Sequence, residues 1–222
     1  MKGFQLRETR GMGGLVLREG LDKPEAGPEE VLIQVRATSL NFRDFMIAHG
    51  RYPVAIKPDV IPLSDGAGDV IAVGSNVTAV KVGDRVTSSV FPDWIAGPLT
   101  QDIFNRSLGG PRDGMLAEYA VLPQHGIIPY PSHLTYEEAA TLPNSGVTAW
   151  HALVETGEFR LARQSSCWAR AGFACSLCSS PNCIAQLLSR PQAATRSWSK
   201  PGQWAPIISS ITAKCRIGIK RS

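Results

Sequence analysis

Every acidic residue of this chain lies before residue 161. Residues 1–160 hold all 19 Asp and Glu with 14 Lys and Arg, a net charge of −5, whereas residues 161–222 hold nine Lys and Arg and no acid, a net of +9. All five cysteines (Cys167, Cys175, Cys178, Cys183, Cys215) and three of the five tryptophans also fall in the second stretch. The overall charge of +4 describes neither piece, so the two have to be read separately.

In the first stretch the local signals agree with one another. EEVLIQVRATSLN alternates with a period of two, setting Val31, Ile33 and Val35 on one face and Gln34 and Arg36 on the other. GDVIAVGSNVTAVKVGDRV predicts further strands, broken at Gly74-Ser75-Asn76 and at Gly83-Asp84, and MLAEYAVLP predicts a short strand ending at Pro123. Helical signals follow: Thr135-Tyr136-Glu137-Glu138 has the form of a capping box, and GVTAWHALVETG places Val147, Trp150, His151 and Val154 at helical spacing with Gly157 as a stop. The expected fold is mostly β, followed by short helices.

The ordered segments SLNFRD, GRYP, PLSDGAGDVIAVGSNV, VGDRV, DGMLAEYAVLP, LTYEEAATLP and GVTAWHAL resemble the medium-chain dehydrogenase/reductase superfamily over roughly residues 1 to 160. Seven segments in one order make the resemblance specific, where any one alone would be weak. It implies a GroES-like catalytic domain over residues 1–130, a helical connection over 131–160, and then an α/β Rossmann domain that binds NADP or NAD, with the active site in the cleft between the domains.

Zinc alcohol dehydrogenases of that superfamily hold a catalytic metal with Cys, His and Cys, since Zn²⁺ takes nitrogen or sulfur ligands in a tetrahedron with one position open. The resemblance carries those ligands onto Asn41, Ser64 and about Asn144, none of them suited to zinc, so the chain is similar to the zinc-independent branch of quinone oxidoreductases and enone reductases. Without a metal, hydrogen-bond donors must stabilise the oxygen that gains charge. Asn41 and Tyr52 can donate, and Arg43 beside Phe42 adds a cation. Asp44 either orients these neighbours, or hydrogen-bonds the cofactor ribose, or only caps the helix beginning at Phe42; Tyr52 either serves the site or packs in a turn. The same choice applies to Asp65 after Ser64, to Trp94 as pocket wall or core, and to Thr148, with Asn144, on the nicotinamide side. The four histidines do not cluster, and none is assigned to catalysis.

After Phe159 a Rossmann unit needs a buried strand and a glycine-rich turn opening a helix, and residues 161–222 offer neither. The expected Rossmann domain is missing or scrambled. Back-translation in the frame begun one nucleotide earlier lets ARQSSCWARAGF read GKTVLVLGTGGV, its first glycine forced because Trp followed by Ala contains GGC. Residues 185–220 likewise permit a second strand, a helix and a third strand in the order of a βαβ unit. A frame shift near codons 160 and 161 thus accounts for the cysteines, the missing acids and the tryptophans together, and makes residues 161–222 an aberrant, disordered tail. The alternative for Cys167, Cys175, Cys178 and Cys183 is a zinc knuckle, but the run lacks the turns that such a site uses.

The expected function is a zinc-independent NAD(P)H-dependent oxidoreductase by descent, moving hydride to or from a small-molecule carbonyl, quinone, enone or alcohol. The alternative is an inactive frame-shifted fragment with no cofactor site. On either reading, NADP or NAD is expected for the family, with a lean to NADP, but not for this chain. The family homodimer is in doubt without a cofactor domain, and an apolar surface should be left exposed. No signal peptide or membrane-length apolar run is seen, so a cytoplasmic location is expected. The scattered positive charges of residues 161–222 match no nucleic-acid module.

Overall fold

A computed structural model describes residues 1–151. Its centre is a five-stranded antiparallel sheet in the order β6-β3-β4-β5-β7. These strands are β3 (Glu30–Ser39), β4 (Asp65–Val73), β5 (Arg85–Ser88), β6 (Tyr119–Pro123) and β7 (Ile127–Pro129). A separate two-stranded ribbon joins β1 (Gly3–Leu6) to β2 (Leu15–Arg18). Four short helices complete the fold: α1 (Phe42–Ala48), α2 (Gln101–Phe104), α3 (Tyr136–Ala140) and α4 (Val147–Trp150). This is the sheet-dominated architecture with short helices that the period-two pattern predicts, although α2 carries no signal that the sequence reading found.

β3 lies inside the sheet, between β6 and β4, and its start is buried on both faces. Val31 and Ile33 enter the main core with Val70, Val86, Met115, Leu122 and Ile127. Leu32, on the opposite face, is also buried, so strict alternation fails at the start of the strand. The register slips between Leu32 and Ile33 and again between Val35 and Ala37, and such bulges bend a strand and raise its twist. A second core joins Leu6, Ile47, Ala48 and Val60, with Met12, Tyr52 and Ile56 packed against it, and so fastens α1 to the ribbon. A third is made of small residues: Ala139 and Ala140 of α3 rest on Ala67 of β4 and Ala37 of β3, which lets the helix lie close to the sheet. Each fully buried Val, Leu or Ile contributes on the order of 1.5–3 kcal/mol, enough to fix the strand register.

The capping box predicted at Thr135 is present. Its side chain accepts from the Glu138 N–H at 3.2 Å, and Glu138 in turn accepts from the Thr135 N–H at 2.9 Å. Between α3 and α4 the chain makes one π-helical turn, Leu142–Gly146, rather than a break at Pro143. The remainder of the second predicted helix, the cysteine run and the whole stretch read as frame-shifted lie outside the described residues.

Candidate active site

The site is built where three segments meet at one end of the sheet: the start of α1, the start of β4, and the π-helical turn. Asn41 is the N-cap of α1, with extended backbone, and its N–H donates to Asp44 Oδ2 at 2.9 Å. That bond satisfies an orphan amide of the first turn and pulls Asp44 inward. The capping role considered for Asp44 is therefore real, and it does not exhaust the residue.

Arg43 and Asp44 are both buried. The Arg43 guanidinium donates to the Leu108 carbonyl and to Ser107 Oγ, each at 2.8 Å, and lies 5.0 Å from the centre of the Tyr52 ring. Its Nη1 stands 3.8 Å from Asp44 Oδ1, close enough for an ion pair and too far for a hydrogen bond. Asp44 Oδ1 and Arg43 Nε are buried without hydrogen-bond partners. Burial pushes the Asp44 carboxyl up to about 7, overcoming the opposing bond from the Asn41 N–H and the positive charge of Arg43, while the neighbouring Asp65 pushes it further up.

Asp65 is fully buried and opens β4. It accepts from Ser64 Oγ at 2.7 Å and from the Asn144 N–H at 3.1 Å. Burial raises its proton affinity, while the nearby Asn41 carboxamide, the Ser64 hydroxyl, the Asn144 N–H and Arg43 lower it. Ser145 donates to Asn41 Oδ1 at 3.0 Å. Asn41 Nδ2 influences Asp65 but makes no well-formed hydrogen bond with it, and is left as a buried donor without a partner. Thr148 donates from an exposed position to Asn144 Oδ1 at 3.4 Å, so its hydroxyl turns to a side chain rather than to a helix carbonyl.

The backbone around Asp65 is strained. Leu63 is buried at 3% exposure with φ 69°, a left-handed conformation that costs an ordinary residue on the order of 1–3 kcal/mol. Two glycines make room for it. A Cβ on Gly114 would stand 1.9 Å from the Leu63 carbonyl oxygen, and one on Gly109, itself at φ 71°, would stand 2.7 Å from the Leu63 backbone. The Gly114 and Met115 amides donate to Ile61 and Leu63 carbonyls at 2.6 and 2.8 Å, holding the turn that aims Ser64 and Asp65.

The structure thus joins Asn41, Arg43, Asp44, Ser64, Asp65, Asn144 and, through Asn144, Thr148. Tyr52 is attached through Arg43 and stacks on Phe104, with ring centres 5.8 Å apart. Phe104 and Trp94 both contact Phe91, but Trp94 itself is 44% exposed and donates to its own loop at Gly97, away from the hydrogen-bonded cluster. Phe42 is exposed beside the site and stacks on Phe45. Two partners escaped the sequence reading. Ser145 adjoins Asn144 and was within reach of the same argument; Ser107 is 64 residues from Arg43 and no local pattern marks it.

An alcohol dehydrogenase GroES-like domain model matches residues 27–132. Those residues are an alcohol dehydrogenase GroES-like domain. The chain is 42% identical over 134 residues to a zinc-type alcohol dehydrogenase-like protein of Schizosaccharomyces pombe, covering 60% of this chain and 39% of that one. It is 36% identical over 136 residues to a quinone oxidoreductase of Pseudomonas aeruginosa, covering 61% and 35%. A solved NAD-dependent alcohol dehydrogenase superposes on it with a TM-score of 0.62 at 29% identity, covering 72% of this chain and 48% of that one. The chain therefore spans less than half the length of each.

The name of the first relative raises zinc, and the donor set of the GroES-like domain does not fit it. Asn41 Oδ1 already accepts from Ser145, the Ser64 hydroxyl donates to Asp65, and a guanidinium lies within 4 Å of the second carboxylate. Among the described residues, no three His, Cys, Asp or Glu side chains are grouped to hold a metal ion. No helix among the described residues is long and apolar enough to cross a membrane.

Proposed function

We propose that the GroES-like domain is the substrate-side half of a zinc-independent oxidoreductase acting on a small carbonyl, quinone or enone compound. The observation that carries this reading is the buried Asn41 Nδ2, without a hydrogen-bond partner among the described residues while Ser145 holds the oxygen of the same amide. A nicotinamide cofactor, the group named in the NAD-dependent relative, supplies hydride when bound. The residues of this chain do the rest. Asn41 donates to the substrate oxygen as it gains negative charge, and a preorganised donor of this kind is worth about 10²–10³ in rate. Arg43 keeps the local charge near zero beside two carboxyl groups, and Tyr52 packs over it. Asn144 and Thr148 form the edge facing the cofactor.

Residues 161–222 do not supply the cofactor half on this reading, so the chain as written binds no NADPH. Titrating the 222-residue chain into NADPH and following nicotinamide fluorescence should show no saturable change; saturable binding would reject the frame-shift account. The enzymatic reading is tested on a chain in which GKTVLVLGTGGV replaces residues 162–173 and the shifted frame continues. NADPH-dependent reduction of an enone or quinone, lowered about 10²–10³-fold in kcat by N41A, is expected. Reduction that persists in N41A or that needs added zinc would count against it.

A further inference from the structure

Three independent features converge on one side chain that the proposed chemistry does not itself consume. Asp65 stands two residues after a buried leucine, Leu63, held at φ 69°. It accepts from the backbone of a π-helical turn, a rare conformation frequent at functional sites. Its carboxylate also lies against the Asn41 amide without forming a well-made bond to it. An apolar side chain of similar volume would serve stability as well at this position, because a buried carboxylate gives little net stabilisation even with a cation nearby.

We propose that Asp65 is the positioning residue of the site: its carboxylate ties the start of β4 to the 142–146 turn and orients the Asn41 carboxamide, keeping Nδ2 turned inward and unspent. The inference rests on the reading of Asn41 as the donor to the substrate oxygen. The two ends of that amide are held differently. Ser145 fixes the oxygen end through a donated bond, so the nitrogen end must point the other way, toward Asp65. Without a negative charge there, the amide has no electrostatic reason to keep its nitrogen inward. The charged groups facing Asp65 are Arg43 and Asp44, both on α1.

The test needs neither cofactor nor turnover, so it can fail while the oxidoreductase reading stands, and the reverse. In the labelled 222-residue chain, the Asn41 side-chain amide resonances, assigned by their loss in N41A, and the Asp65 carboxyl carbon are followed against pH. Coincident midpoints are expected. D65N should abolish the amide's titration, and D44N should leave it in place. An amide that does not move, or that follows the Asp44 carboxyl carbon instead, would overturn the proposal. Should D65N fail to fold, the wild-type titration alone still decides, because the two midpoints either coincide or do not.

Discussion

Two arginines of this domain are each held against tyrosine, and they do opposite things. Arg85, at the start of β5, lies between the rings of Tyr130 and Tyr136 at 4.8 and 4.3 Å and donates to the Ser132 and Leu134 carbonyls. Tyr136 in turn donates to Asp69, which pairs with Arg36 at 2.8 Å. That cluster straps the segment after β7 onto the sheet, and its carboxylate is fully engaged. Arg43 has one tyrosine, two acceptors and a buried carboxylate that it approaches without bonding. The strap engages both oxygens of its carboxylate and leaves only Arg85 Nε and Tyr130 Oη without partners; the other cluster leaves a carboxylate oxygen unpaired, together with Arg43 Nε and Asn41 Nδ2.

The contrast predicts very unequal costs for removing each guanidinium. R43A strands Asp44 as a buried carboxyl with no cation and leaves the Leu108 carbonyl without its donor. Breaking one side of a buried pair costs about 3–5 kcal/mol. R85A loses two aromatic contacts and two backbone bonds nearer the surface, and should cost about 1–2 kcal/mol. Urea unfolding of both variants at pH 8, where the Asp44 carboxyl is ionised, measures the gap. Equal losses would mean that the Arg43 cluster is also an ordinary strap.

Acid should separate the clusters too. The folded pKa of Asp44, about 7, lies above its ordinary value of 3.8. Its contribution is therefore complete below pH 4 and is lost as pH rises toward 7, on the order of 4 kcal/mol over the window. D44N should flatten that slope by raising stability at pH 8 relative to pH 5. Thermal unfolding across pH 4–8 checks the sign, and a wild-type chain that gains stability from this residue with rising pH would contradict it.

How much of this could be read beforehand follows the same division. The β pattern, the Thr135 capping box and the candidate cluster of Asn41, Asp44, Ser64, Asp65 and Asn144 were legible, since each rests on a local pattern or on an ordered family motif. What could not be read is set by distant backbone. Leu63 takes its left-handed conformation because Gly109 and Gly114 pack against it, about 46 and 51 residues away. Leu32 is buried on the face assigned to polar residues, beside a register slip against β4. The choice between cap and function posed for Asp44 was also the wrong form of question, because the residue is a cap whose second oxygen remains unpaired. That strain is testable: G114A should cost about 1–3 kcal/mol through the clash with the Leu63 carbonyl, and should also move the Asp65 carboxyl resonance. A comparable loss with an unmoved Asp65 would show that the turn serves the fold and not the site.

The smallest effects should sharpen the comparison most, because they remove one oxygen atom each. Y136F deletes a hydroxyl that donates to Asp69 at 2.7 Å, and burial is the main cause holding that phenol above its ordinary pKa, with Asp69 adding to it. A hydrogen bond to a charged acceptor is worth about 1.5–3 kcal/mol, but Asp69 keeps Arg36, so a loss of about 1 kcal/mol is expected. Y52F deletes a hydroxyl with no hydrogen bond among the described residues, and the ring that covers Arg43 and Phe104 remains. Its unfolding free energy should change by less than about 0.5 kcal/mol. If the Tyr52 hydroxyl serves the site, Y52F in the frame-restored chain should lower kcat or raise KM while Y136F leaves both alone. A Y52F loss as large as that of Y136F would make Tyr52 a second strap and take it out of the site.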